Sequence, residues 1–317
     1  MKERDKGILK DIKYSENKIA KKILRTAKIS NWMFYLTFLL LTITYVLMAI
    51  TALTPKGIIL GSIIYFVISI YLVTRQKQYF NKVMDDSIKK TICPEAYLNL
   101  NLYNAKKKMC SEGLYNESLN NIAYAYMQLG ELERAENIIK YLDTKKKNIV
   151  LQSKILENKV NIAFFKNDIK KFNEESEELK KVISFIPKRY KKKVLLNINV
   201  KQAVIEKNIE EANNKCELLE KKKNLFNKLY GAYYRGLTLE NNKKQGYEEY
   251  YKFVAENGNN LIIANEARKK LNINDVIIKY KRKFYIWRKI STMIIFTIFL
   301  TSSIFWTMYA VYIYSLH

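Results

Sequence analysis

Side chains able to move protons or hold metals are few in this chain and badly spaced for the purpose. The single histidine is His317, the last residue, which removes Ser/His/Asp and Cys/His constellations and H-E-x-x-H zinc sites. Neither G-x-x-x-x-G-K-[ST] nor G-x-G-x-x-G occurs, so no loop is patterned to cradle a nucleotide phosphate. Cys93, Cys110 and Cys216 are odd in number and form no C-x-x-C, and in a reducing compartment they read as packed thiols. Two carboxylate groupings remain, Asp85-Asp86 and the run Glu174, Glu175, Glu177, Glu178. On charged helices such groupings are expected to be solvated faces. The expectation is a protein that binds and does not turn over: no enzyme, with no catalytic residue, cofactor, metal or small-molecule substrate.

Three apolar runs frame the elements that would position a binding surface. Met33 to Leu53 carries no charged residue and as a helix reaches ~31 Å, the thickness of a hydrocarbon core. After Thr54-Pro55-Lys56, Gly57 to Thr74 is again uncharged and reaches ~27 Å. Proline disfavours helix in the residue before it, so 33–53 and 57–74 are expected to form a transmembrane hairpin turning at Pro55. Ile290 to Leu316 is a third candidate span. The basic leader before the first run is too long for a signal peptide, and no A-x-A-like cleavage site follows. None of the spans contains an ionisable side chain, which argues against a proton relay or transport path. Gly57-Ile-Ile-Leu-Gly61 offers a possible helix–helix contact of the G-x-x-x-G kind, with Ser62 beside it.

Lys and Arg beside the spans set the orientation. Residues 1–30 hold about ten of them against about four acids, whereas the hairpin turn holds only Lys56. Arg75, Lys77 and Lys82 follow the second run, and Arg282, Lys283, Arg288 and Lys289 precede the third. The N-terminus and the whole middle are therefore expected to be cytoplasmic, and the tail at His317 outside. Residues 1–30 intersperse Ile8, Leu9, Ile12, Ile19, Ile23 and Leu24 with lysine and predict a basic amphipathic arm, resting on anionic lipid or on the middle region.

The net charge of +26 favours anionic partners: acidic membrane lipids or an acidic protein segment. Lysine-rich composition is also what an AT-rich genome encodes, and no zinc-finger, helix-turn-helix or RNP-like pattern accompanies the charge, so nucleic acid is not expected as a partner. With 9 glycines, 3 prolines and no strand-like alternation, the middle region predicts an all-α domain.

The most specific stretch runs from Asn121 through Ile-Ala-Tyr-Ala-Tyr-Met-Gln-Leu-Gly130 and Glu-Leu-Glu-Arg-Ala135 to Ile139. Ile122, Ala123 and Tyr126 make one face of a helix, Gly130 permits a tight reversal, and Leu132, Ala135 and Ile139 face back from a second helix. It resembles a tetratricopeptide repeat. Equivalents of Ala135 recur at Phe172, Ala212 and Gly246, at intervals of about 37, 40 and 34 residues. Pro94-Glu95 opens a lone capping helix, and the closing helices run to Leu271. This stretch, with the hairpin before it, also resembles poorly characterised Gram-positive bacterial membrane proteins that carry such repeats.

The resemblance implies a solenoid whose first helices line a concave groove. Carried over, one groove position falls at Tyr124, Asn161, Lys201 and Arg235, a ladder that turns cationic and would suit an acidic partner segment. Packing positions fall at Ala123, Gly130, Ala135, Phe172, Ala212 and Gly246. The expected layout is an arm (1–30), a hairpin (31–75), a repeat domain (76–289) and a final span (290–317). The expected role is a multi-pass scaffold recruiting a protein to the cytoplasmic face of a bacterial inner membrane. The rival is an accessory subunit of an envelope transport or export complex, interacting through its spans.

Overall fold

The computed structural model describes residues 6–51, 55–107, 111–143, 148–221 and 224–273. Among them every regular element is helical. The expected third span, Cys110 and His317 lie outside the described residues. The helices divide between two compact units, one joining the described residues up to Lys21 to those from Met84 onward, the other spanning Lys22–Val83.

The second unit is a helix pair. Helix α2, Lys18–Thr51, runs without interruption from the basic leader into the first apolar run. Helix α3 begins at Pro55, where a missing N–H costs nothing, and continues to Lys89. Contacts between Asn31 and Gln76, Thr42 and Tyr65, and Tyr45 and Ser62 show the two running antiparallel. The Tyr45 and Tyr65 rings stack with centroids 4.6 Å apart. Outward, the pair is apolar and bare: Trp32, Leu39, Ile43 and Leu47 of α2 and Ile63, Phe66, Val67 and Ile70 of α3 are all exposed, Phe66 by 64%. Over Lys18–Leu47 the chain is long and apolar enough to cross a membrane. Toward the other end, Ile23, Leu24, Ala27, Phe80 and Val83 are buried.

The first unit opens with α1, Lys6–Lys10, and an extended segment up to α2. The N-terminal arm is thus not one amphipathic helix. Leu9 and Ile12 join the core of Leu98, Leu102 and Ala105, and the Ser15 N–H donates to Asn99 Oδ1 at 2.7 Å. This part of the arm rests on the helical unit because its apolar side chains find a dry site there.

Next come α4 (Pro94–Ala105), α5 (Glu112–Gln128), α6 (Leu132–Asp143), α7 (Ile149–Phe165), α8 (Ile169–Ile183), α9 (Lys188–Ile205), α10 (Ile209–Glu220), α11 (Leu225–Asn241), α12 (Tyr247–Asn257) and α13 (Ile262–Lys270). Each packs against its successor. The pairs α5/α6, α7/α8 and α9/α10 share one turn: a residue at positive φ (Gly130, Asn167, Lys207) followed by an N–H that reaches back five residues to a carbonyl of the helix just ended. Asp168 and Asn208 then cap α8 and α10, accepting from the N–H groups of Lys171 and Glu211.

Ala123, Ala135, Phe172 and Ala212 are all buried at the contacts between paired helices. The Phe172 ring is fully buried in one cluster with Val160, Ala163, Leu179 and Ile183. Gly130 is required by its φ of +82°, since a Cβ there would meet nothing closer than Ile262 at 3.8 Å. Gly246 does not pack: it precedes α12 at φ +91° with open space around it. The fourth loop, 242–246, is two residues longer than the first three, so spacing along the chain misregisters the fourth pair. The close approach there falls at Gly236, where a Cβ would lie 2.9 Å from the Tyr251 ring.

The ends of this unit meet. Helix α13 packs on α5 as well as on α12. The Asn259 amide donates to the Ile92 carbonyl at 3.1 Å, and the Tyr230 hydroxyl to Gln128 Oε1 at 2.6 Å. A helical stack expected to leave an open concave face is instead joined from its first pair to its last.

Candidate functional site

Four residues before the end of α5, α7 and α9 stand Tyr124, Asn161 and Lys201. All three line one cavity of about 100 Å³. The corresponding residue of α11 is Leu237. Arg235, two residues earlier, turns away from the cavity and pairs with Glu220 at 2.7 Å. The sequence-predicted ladder is therefore brought together in three of its members, and the long fourth loop explains the fourth.

The cavity has apolar walls and a polar interior. Tyr230, Tyr234, Phe226, Leu196 and Met127 supply rings and aliphatic surface, and Gln128, Glu157, Asn161, Asn197 and Lys201 supply polar groups. Lys201 is only 1% exposed. Its ammonium donates to Asn197 Oδ1 at 2.7 Å and lies 5.8 Å from the ring centres of both Phe164 and Tyr234. It makes no ion pair among the described residues, and the Glu157 carboxylate instead accepts from the Tyr190 hydroxyl at 3.2 Å and from the Asn197 amide at 3.5 Å. Burial pushes Lys201 down to about 7, against a weaker opposing pull from Glu157. The hydroxyl of Tyr234 is buried and has no hydrogen-bond partner among the described residues. Burial also holds the phenols of Tyr124, Tyr230 and Tyr234 well above their ordinary range, so each is a neutral donor.

The carboxylates singled out by their grouping stand elsewhere. Asp85 and Asp86 pair with Lys89 and Lys90 one turn on, at 2.5 and 2.8 Å. Glu177 pairs with Lys180 at 2.7 Å, and Glu175 lies 3.9 Å from Lys159, which also binds Asp143. Burial, with Glu178 adding to it, raises the Glu175 carboxyl against the pull of Lys159. Among the described residues no cluster of His, Cys, Asp or Glu could hold a metal ion. Cys93 and Cys216 are buried thiols outside any disulfide, Cys93 donating to Glu95 Oε2 at 3.5 Å, and burial pushes Cys216 up to about 12, far from the reactive thiolate. Gly61 is half-buried beside Ser62, whose hydroxyl meets Tyr45 at 2.7 Å; Gly57 belongs to α3, but its surroundings are not among the described side chains.

Sequence reasoning missed Glu157, Asn197 and Tyr234. Nothing local marks them, because each reaches the cavity from a different helix. Another exposed feature lies at the α8–α9 turn, where Phe185 is 78% exposed between Lys180, Lys181, Lys188 and Arg189. Comparison of the chain with protein-family models, curated proteins and solved structures finds no match.

Proposed function

We propose that this protein is a membrane-anchored scaffold: a tetratricopeptide-like helical unit held at the cytoplasmic face of a bacterial inner membrane, recruiting a protein partner without catalysis. The observation that carries the reading is the bare apolar collar of α2 and α3. So many exposed Ile, Leu, Val and Phe side chains on two paired helices are stable only against lipid or another apolar surface. In this reading 33–53, 57–74 and 290–316 cross the bilayer, and the N-terminus and helical unit lie on the cytoplasmic side. Arg75, Lys77 and Lys82 are exposed just past the second apolar run, where anionic headgroups would meet them.

Partner recognition moves from the ladder to the surface. Lys201 is enclosed and Arg235 is occupied by Glu220, so neither offers a free cation to an acidic segment. Phe185 with the exposed Lys181, Lys188 and Arg189 does: an exposed aromatic anchor inside a basic rim suits an acidic partner carrying an apolar residue. Affinity capture of the intact protein from membranes, with and without Phe185→Ala combined with Lys188→Glu and Arg189→Glu, tests this. The scaffold reading expects the variant to lose its partner while spans exchanged for unrelated apolar helices keep it. Loss on span exchange alone would instead identify an accessory subunit working through its membrane helices.

A further inference from the structure

We propose that the cavity between α5, α7, α9 and α11 is a binding site for a small organic monocarboxylate, with Lys201 as its counterion and Tyr234 and Asn161 as further hydrogen-bond donors. This goes beyond the scaffold reading and does not depend on the membrane topology.

The first support is an unbalanced charge site. An ammonium has three N–H donors and no acceptor, yet Lys201 makes one short hydrogen bond, to a neutral amide, and a 3.5 Å contact with the Asn197 carbonyl. Burying a cation so completely is costly unless it is paired and fully hydrogen-bonded; Glu157 in the wall is held by Tyr190 and Asn197 and makes no ion pair with the ammonium among the described residues, and an anion in the cavity would supply a direct partner. The second support is independent of charge: the buried Tyr234 hydroxyl has nothing to donate to, although nearly all buried polar groups in folded proteins are satisfied. Both groups line the same space.

Size and charge narrow the class. About 100 Å³ accommodates a few waters or a molecule of a few heavy atoms, and excludes a helix or an extended peptide. Glu157 already places one negative charge in the wall, so a dianion such as phosphate would meet about twice the repulsion that a monoanion meets. The rings of Phe226, Tyr230 and Tyr234 offer an apolar surface to the rest of such a molecule and lower the local dielectric around the ion pair. The chemistry is recognition alone, with no bond made or broken.

The test uses the full chain in nanodiscs, titrated with acetate and propionate against chloride and inorganic phosphate at matched ionic strength, with thermal unfolding and ligand-observed NMR as readouts. Ligands so small bind no tighter than roughly 40 µM for acetate and roughly 3 µM for propionate. The expected result is a saturable rise in melting temperature with the carboxylates and none with chloride or phosphate. Lys201→Met should weaken binding by about tenfold or more, as expected for loss of a buried charge-assisted contact. Tyr234→Phe, which retains the packing, should weaken it several-fold. Equal effects of chloride, an undiminished response in Lys201→Met, or no saturable response to either carboxylate would overturn the proposal, leaving a cavity that holds water. A response to the C-terminal carboxylate of a dipeptide but not to acetate would also overturn it, in favour of chain-end capture.

Discussion

Lys201 was expected on an open groove and stands in an enclosed cavity. Its position in the repeat made it a groove cation, and it does face inward, but the walls that enclose it come from Phe164, Tyr230 and Tyr234 in other helices. No local pattern announces such burial. Because its folded-state value is about 7 against an ordinary 10.5, the unfolded chain binds a proton more tightly throughout that interval. Stability should therefore fall as pH drops from about 10.5 toward 7 and level off below. Lys201→Met removes the penalty, and should raise stability at pH 7 by on the order of 2–4 kcal/mol while flattening that part of the pH profile. Denaturant unfolding of both forms across pH 7 to 10 measures it; parallel profiles would show that the buried amine carries no such cost. Phe172 is the opposite case. The resemblance implies a small-residue position there, and the bulky ring is nevertheless buried in one cluster with Val160 and Ala163.

The helices themselves were largely legible. Alternating apolar faces, Pro94 at the start of α4 and Gly130 at the end of α5 mark elements that are present, and Ser111, Asn148, Asp168, Asn208 and Asn224 each cap the helix that follows. What was not legible is the length of the fourth loop, because spacing cannot distinguish a longer loop from a shifted repeat. Lys207 and Lys243 also hide left-handed turns under an ordinary residue type, whereas Gly130 announces one. The turns give a sharp prediction. Gly130→Val places a β-branched side chain at φ +82° and should cost about 2 kcal/mol or more, whereas Asn167→Gly, at φ +56°, should be neutral or mildly stabilising. Melting temperatures of the two variants check this, and equal losses would contradict the turn geometry. The N-terminal arm was left between lipid and protein by its sequence; Leu9 and Ile12 settle its first part against α4.

At the scale of the molecule, composition foretold the helical class, and the described residues divide into two compact units. The boundaries moved because α2 and α3 continue as single helices beyond their apolar runs, so the hairpin unit extends to Lys22 and Val83 where hydropathy alone ends near 31 and 75. Closure of the helical unit through Asn259, Tyr230 and α13 was not legible, since contacts between first and last pairs leave no mark in local sequence. With that closure, the surfaces proposed for binding are a small interior cavity and the exposed Phe185 turn. The central claim is that the collar lies in a bilayer with the helical unit on the cytoplasmic side. Thiol labelling of intact cells tests it most directly, in a chain carrying Cys93→Ala, Cys110→Ser and Cys216→Ala and either Lys56→Cys or Phe185→Cys. The account predicts that an impermeant reagent labels position 56 from outside and reaches position 185 only after permeabilisation. Labelling of position 185 in intact cells, or protection of 56 from outside with labelling from within, would contradict it.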